Sequence, residues 1–174
     1  GVERAHYLGF PWGARLGFAI GEHAPERVLS LVLCGNQPYA WPMEGPMLRA
    51  VSDAVAAGKE RGMLALVKTW ESSIGERFPE PGRTWILDND PLALDAEFRS
   101  AFLEGPISRD LSRWRVPCLI YAGDGDEMHE NAVRAAAEIP GAVFVSLPGH
   151  THFSAERVAD QLLPQVLELF RSAS

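Results

Sequence analysis

The stretch Leu8-Gly9-Phe10-Pro11-Trp12-Gly13-Ala14-Arg15 decides how the chain folds, because it joins two segments of different hydrophobic period. Ahead of it, Ala5-His6-Tyr7-Leu8-Gly9 is short, apolar and glycine-ended, as a buried strand is. Behind it, Gly13 to His23 carries Leu16, Phe18, Ala19 and Ile20 at helical spacing. Pro25-Glu26-Arg27 breaks that helix. Val28-Leu29-Ser30-Leu31-Val32-Leu33-Cys34-Gly35 is then a continuous apolar run, the pattern of a parallel strand covered on both faces. Strand, sharp turn, helix and strand make a βαβ unit.

Working outward, the character changes between Asn36 and about Asp110. Pro38, Pro42, Pro46, Pro79 and Pro81 punctuate helix-like stretches at Met47 to Ala57, Gly62 to Glu71 and Pro91 to Leu103, which predicts a helical insertion over about 37-110. The alternation resumes with a strand at Pro117 to Gly123, a helix at Glu130 to Ile139, a strand at Ala142 to Leu147 and a terminal helix at Ala155 to Arg171. No repeat or low-complexity tract interrupts the order. The expected architecture is a single α/β domain over 1-174, a short parallel sheet flanked by helices with one helical cap insertion.

Composition narrows the function classes. The 174 residues are 47% hydrophobic and 22% charged, enough for one buried core, and the formal charge is −7. With a pI near 5.2 and scattered Lys and Arg there is no basic footprint for nucleic acid and no polybasic membrane patch. No run of about 18 apolar residues marks a membrane span, and Gly1-Val2-Glu3-Arg4 lacks the basic-then-apolar order of a secretory signal. A cytoplasmic location is the expectation, with a small-molecule substrate. Cys34 and Cys118 each sit in an apolar strand-like run and read as reduced core thiols rather than as a disulfide or a nucleophile.

The order of motifs resembles the α/β-hydrolase fold over nearly the whole chain. Gly9-Phe10-Pro11-Trp12-Gly13 is similar to the family's nucleophile elbow G-x-S-x-G except at its centre. Ala122-Gly123-Asp124-Gly125-Asp126 resembles the turn that carries the acid, a role the resemblance puts on Asp126. Leu147-Pro148-Gly149-His150-Thr151-His152 resembles the stretch that carries the base, which puts that role on His152.

Two departures shape the reading. The sequence begins at the strand leading into the elbow, so the resemblance implies a C-terminal portion of the fold, an N-terminally truncated member. A sheet of about four strands leaves an edge of unpaired N–H and C=O groups, which predicts a homodimer or higher homo-oligomer covering it. The second departure is Pro11. The family's elbow serine is strained at positive φ, whereas proline fixes φ at about −65°, so the turn is expected to be relaxed as well as disarmed. Proline suits the first position of a helix, whose dipole and early N–H groups, those of Trp12 and Gly13, then favour an anion.

The residues left to do chemistry are Asp126 and His152, a carboxylate that orients an imidazole able to activate water near neutral pH. Asp124 and Asp126 form D-x-D, His150 and His152 form H-x-H at the end of the neighbouring strand, and His129 and Glu130 follow the first pair. Neighbouring strands lie about 4.8 Å apart, so the expected metal set is Asp124, Asp126, His150 and His152 around zinc or another divalent ion that supplies a bound hydroxide. The competing reading makes these solvated loop residues. Trp12, Tyr39 and Trp41, with Trp70, are candidate substrate-binding aromatics between sheet and insertion, or ordinary packing. His6 reads as a packed strand histidine and His23 as a helix C-terminal one. The functional expectation is a hydrolase of small activated esters or phosphoesters, of esterase or phosphotriesterase type, working without a serine. The alternative is a catalytically inactive truncated scaffold acting as a binding or oligomeric module.

Overall fold

The computed structural model describes residues 1–41, 44–103, 105–108 and 110–173; Pro42, among the prolines cited above, lies outside them. The chain divides into two compact units, Gly1–Tyr39 with Pro106–Ser174, and Ala40–Gly105.

The first unit holds four strands, β1 (Ala5–Gly9), β2 (Val28–Cys34), β3 (Cys118–Gly123) and β4 (Val143–Leu147), in the order β1-β2-β3-β4. All neighbours are parallel, with Leu8 opposite Val32, Val32 opposite Leu119 and Ile120 opposite Phe144. Helix α1 (Trp12–His23) crosses from β1 to β2, and its hydrophobic side together with the even face of β3 makes one core of Ala14, Phe18, Leu31, Leu33, Ile120 and Ala135. The opposite face, Val32, Cys34, Leu119 and Tyr121, is covered by Leu162 and Val166 of the terminal helix. Side chains of a strand alternate between faces, so these two clusters are the two sides of one sheet. Fully burying a side chain such as Phe18, Leu31 or Leu33 stabilises by roughly 1.5–3 kcal/mol each.

Close packing of α1 on the sheet depends on a small residue. A Cβ at Gly17 would lie 2.3 Å from Leu33 Cδ2, so only hydrogen fits there. Both cysteines are reduced and buried, as expected, and burial pushes the Cys118 thiol up to about 12. His6 packs as a strand histidine, stacked on Phe170 at 4.2 Å with Nδ1 2.8 Å from Ser30 Oγ.

The second unit, inserted between β2 and β3, is helical: α2 (Pro46–Arg61), α3 (Met63–Ile74), α4 (Gly82–Leu87) and α5 (Pro91–Leu103). Three follow the stretches expected from sequence. The short α4 does not announce itself, because Pro81-Gly82 reads as a turn. The core of this second unit includes Val51, Ala54, Leu66 and Val67, and Trp70 stands edge-on to Phe78 at 5.3 Å. Two helices complete the chain, α6 (His129–Glu138) between β3 and β4 and α7 (Ala159–Ser172) after β4. No helix among the described residues is long and apolar enough to cross a membrane.

Candidate active site

Three chain segments meet at the C-terminal end of the sheet. The first is the turn after β1. Pro11 has φ −72° and ψ −41°, and its carbonyl accepts from Ala14 N at 3.1 Å and Arg15 N at 3.3 Å. Proline thus stands one position ahead of the helix, supplying the first acceptor while lacking an N–H of its own. None of the described non-glycine residues has positive φ, so the strained elbow conformation is gone. The turn is nonetheless tight: a Cβ at Gly9 would come within 2.3 Å of the Gly13 backbone.

The second segment leaves β3 through Asp124-Gly125-Asp126. The Asp126 carboxylate is buried and uses both oxygens: Oδ1 accepts from Met128 N at 2.9 Å, and Oδ2 lies 3.0 Å from His152 Nδ1. The first bond is an Asx turn into α6, and it leaves the second oxygen with one available direction. The third segment leaves β4 through Pro148 to Phe153. It is pinned to the second by Gly125 N donating to the His150 carbonyl at 3.0 Å and by Gly149 N donating to Asp124 Oδ1 at 2.8 Å.

The His152 imidazole is fixed on several sides. A carboxylate partner holds the proton on Nδ1, which leaves the lone pair on Nε2. Phe10 lies 5.2 Å away and Phe153 stands edge-on at 5.0 Å. The Cε1 edge faces the backbone of Gly35, where φ is +72° and a Cβ would lie 3.0 Å from that atom. With 12% of its side chain exposed, His152 shows solvent little more than one edge. Sequence reasoning missed Phe10 and Gly35 as site residues; a glycine ending an apolar strand was the only signal for the latter.

Asp126 and His152 come together as expected. Asp124 and His150 turn to other partners, and among the described residues no group of three or more His, Cys, Asp or Glu is placed to hold an ion. The physical reason is hydrogen-bond satisfaction within the turns. Asp124 is turned to Gly149 N, while His150 Nδ1 lies 3.3 Å from Ser154 Oγ and His129 Nε2 lies 2.9 Å from Ser146 Oγ. Trp12 opens α1, Trp41 belongs to the inserted unit, and Tyr39 packs on the α1/α6 core with the Arg134 guanidinium 4.1 Å from its ring centre. Burial, foremost, pushes the Tyr39 hydroxyl up to about 12.

A parallel sheet with sequential strands, a helical insertion after its second strand, and an acid–histidine pair on the loops after its third and fourth define a class, the α/β-hydrolase fold. Solved structures bear this out. A hydrolase from Pseudomonas aeruginosa PA01 superposes with a TM-score of 0.77 at 25% identity, covering 97% of this chain and 65% of its own. The enol-lactonase from Burkholderia xenovorans LB400 gives 0.77 at 18%, covering 98% and 66%, and a thermophilic esterase from Thermogutta terrifontis gives 0.69 at 21%, covering 94% and 65%. The chain has the α/β-hydrolase fold and spans slightly less than two thirds of the length of these structures. No protein-family model matches the chain, and no curated protein matches it.

Proposed function

We propose that the protein is a hydrolase of small activated carboxylic esters in which His152, oriented by Asp126, activates water. The observation that carries this reading is the 3.0 Å contact between His152 Nδ1 and a fully buried Asp126 oxygen, with Pro11, which has no hydroxyl, in the turn after β1. Similarity to the Pseudomonas hydrolase supports the general reaction class. A positioned general base contributes typically about 10²–10⁴-fold, and the absence of a nucleophilic side chain at position 11 confines the reaction to substrates with good leaving groups. The ester or phosphoester expectation drew on the resemblance and on metal chemistry together, and the proposal is limited to carboxylic esters.

The test is hydrolysis of 4-nitrophenyl acetate by the wild-type protein and by His152→Ala and His152→Gln, each with and without a chelator. The reading requires a wild-type rate above buffer that chelation leaves unchanged and that both substitutions remove. Rates equal to the variants' would instead favour an inactive scaffold with a binding or oligomeric role.

We propose in addition that a second copy pairs with the outer edge of β1. Its support is that β1 is an outer strand of the sheet and that its Leu8 is 57% accessible. Light scattering at micromolar concentration should give a dimer or larger; a monodisperse monomer refutes it.

A further inference from the structure

We infer that His152 Nε2 is itself an acyl acceptor, so that esters of acidic alcohols, phenols and enols are cleaved through an acyl-imidazole on His152. This rests on the hydrolytic reading of the same pair and replaces its first step for this substrate class.

Nδ1 faces Asp126, Cε1 faces the Gly35 backbone, and Phe10 and Phe153 lie against the ring. Among the described residues no hydrogen-bond partner of Nε2 is present. In a serine-bearing elbow this nitrogen would be engaged as base by the hydroxyl. Pro11 has neither a side-chain hydroxyl nor an N–H, and its φ of −72° holds it in the helical region. A lone pair engaged by no hydroxyl is open to a substrate carbonyl, and a nitrogen lone pair is a nucleophile toward carbonyl carbon as well as a base toward water.

The leaving group selects between these routes. Imidazole has a pKa of about 6.5, so a tetrahedral adduct expels imidazole when the competing group is an alkoxide, and expels the competing group when it is a phenolate or enolate of comparable or lower basicity. In the first step the Nε2 pair forms the N–C bond and the carbonyl π pair moves to oxygen. That adduct collapses by breaking the C–O bond, and the phenolate leaves with the bonding pair. The product is an Nε2-acyl imidazolium still carrying its Nδ1 proton. Its positive charge lies against the Asp126 carboxylate, which is buried and 3.0 Å away, where opposite charges attract more strongly than in water. Water then adds to the acyl carbon, the N–C pair returns to Nε2, and the proton released ends on the departed phenolate. The sum is ester plus water to acid plus phenol.

The experiment mixes the intact wild-type protein with 4-nitrophenyl acetate, quenches in acid on the second timescale, and maps acetyl groups by peptide mass spectrometry while the nitrophenolate transient is recorded. The expected result is one acetyl group on the peptide containing His152 with a burst approaching one equivalent. Neither should appear with ethyl acetate, nor at that peptide in His152→Gln. Hydrolysis that requires His152 but shows no burst and no acetyl on its peptide overturns this inference and leaves water activation standing. An acetyl group found only on lysines or the N-terminus overturns it too. If neither adduct nor hydrolysis is seen, both readings fall.

Discussion

Replacing Asp126 by Asn probes the pair without emptying its site. Met128 N donates to Oδ1 at 2.9 Å, so the asparagine oxygen is held in that position and the amide nitrogen must face His152 Nδ1, where the carboxylate oxygen stood at 3.0 Å. A donor now faces the ring, so Nδ1 has to accept and the ring proton moves to Nε2, removing the lone pair from the open edge. Restoring the productive tautomer sets donor against donor in a buried place, roughly 2–4 kcal/mol. Its population then falls to about 3% at the low end and about 0.1% at the high end, by the factor of ten per 1.4 kcal/mol. Asp126→Asn should accordingly lose about 30- to 1,000-fold in kcat/KM on 4-nitrophenyl acetate. Urea unfolding should change by no more than about 1–2 kcal/mol, because both hydrogen bonds keep a partner and only the ionic contribution is lost. Asp126→Ala, which strands Met128 N and Nδ1, should be destabilised by more. A variant Asp126→Asn that unfolds like wild type and hydrolyses within threefold of it refutes the tautomer argument.

Other consequences follow from the same geometry. Pro11→Ser supplies a hydroxyl but not the strained elbow; positive φ at a non-glycine residue costs about 1–3 kcal/mol, so a fluorophosphonate should label Ser at this position slowly and incompletely, and rapid stoichiometric labelling contradicts the relaxed turn. Gly35→Ala places a Cβ 2.8 Å from the Phe10 ring and 3.0 Å from His152 Cε1 at φ +72°. It should destabilise by about 2–4 kcal/mol and depress hydrolysis more than binding, which unchanged urea midpoints and rates would disprove. Burial raises Cys118 from the ordinary 9.0 to about 12. The folded state then binds a proton that the unfolded state releases, so this contribution is fully present below pH 9 and lost as pH rises toward 12. Cys118→Ala should flatten the decline in stability across that window; an unchanged slope counts against the thiol as its source.

Much of the fold was legible because parallel strands covered on both faces leave continuous apolar runs, as in Val28 to Cys34; the helix after β1 was legible too, although its buried face is Ala14, Gly17, Phe18 and Gly21 and Leu16 of the expected stripe is 56% exposed. Asp126 and His152 were legible through residue type and chain order. Asp124 and His150 have other partners for a physical reason. In short turns the side-chain direction follows nearby hydrogen-bond partners, here Gly149 N for Asp124 and Ser154 Oγ for His150. Sequence spacing carries no trace of those partners. The contacts of Phe10 and Gly35 with His152 escaped notice because they join residues distant in the chain, and a phenylalanine beside a turn looks the same whether it faces core or site. Pro11 was the most informative residue: its ring predicts a turn without strain, and the φ of −72° is what a proline there demands.

The central claim is that one imidazole, held by a buried carboxylate and facing no hydroxyl, carries the chemistry. The most direct measurement is the initial rate of 4-nitrophenyl acetate hydrolysis by wild type and His152→Gln purified side by side, both verified as folded by circular dichroism. The account predicts a wild-type rate well above buffer and a variant rate indistinguishable from it. Equal rates in the two proteins would contradict it.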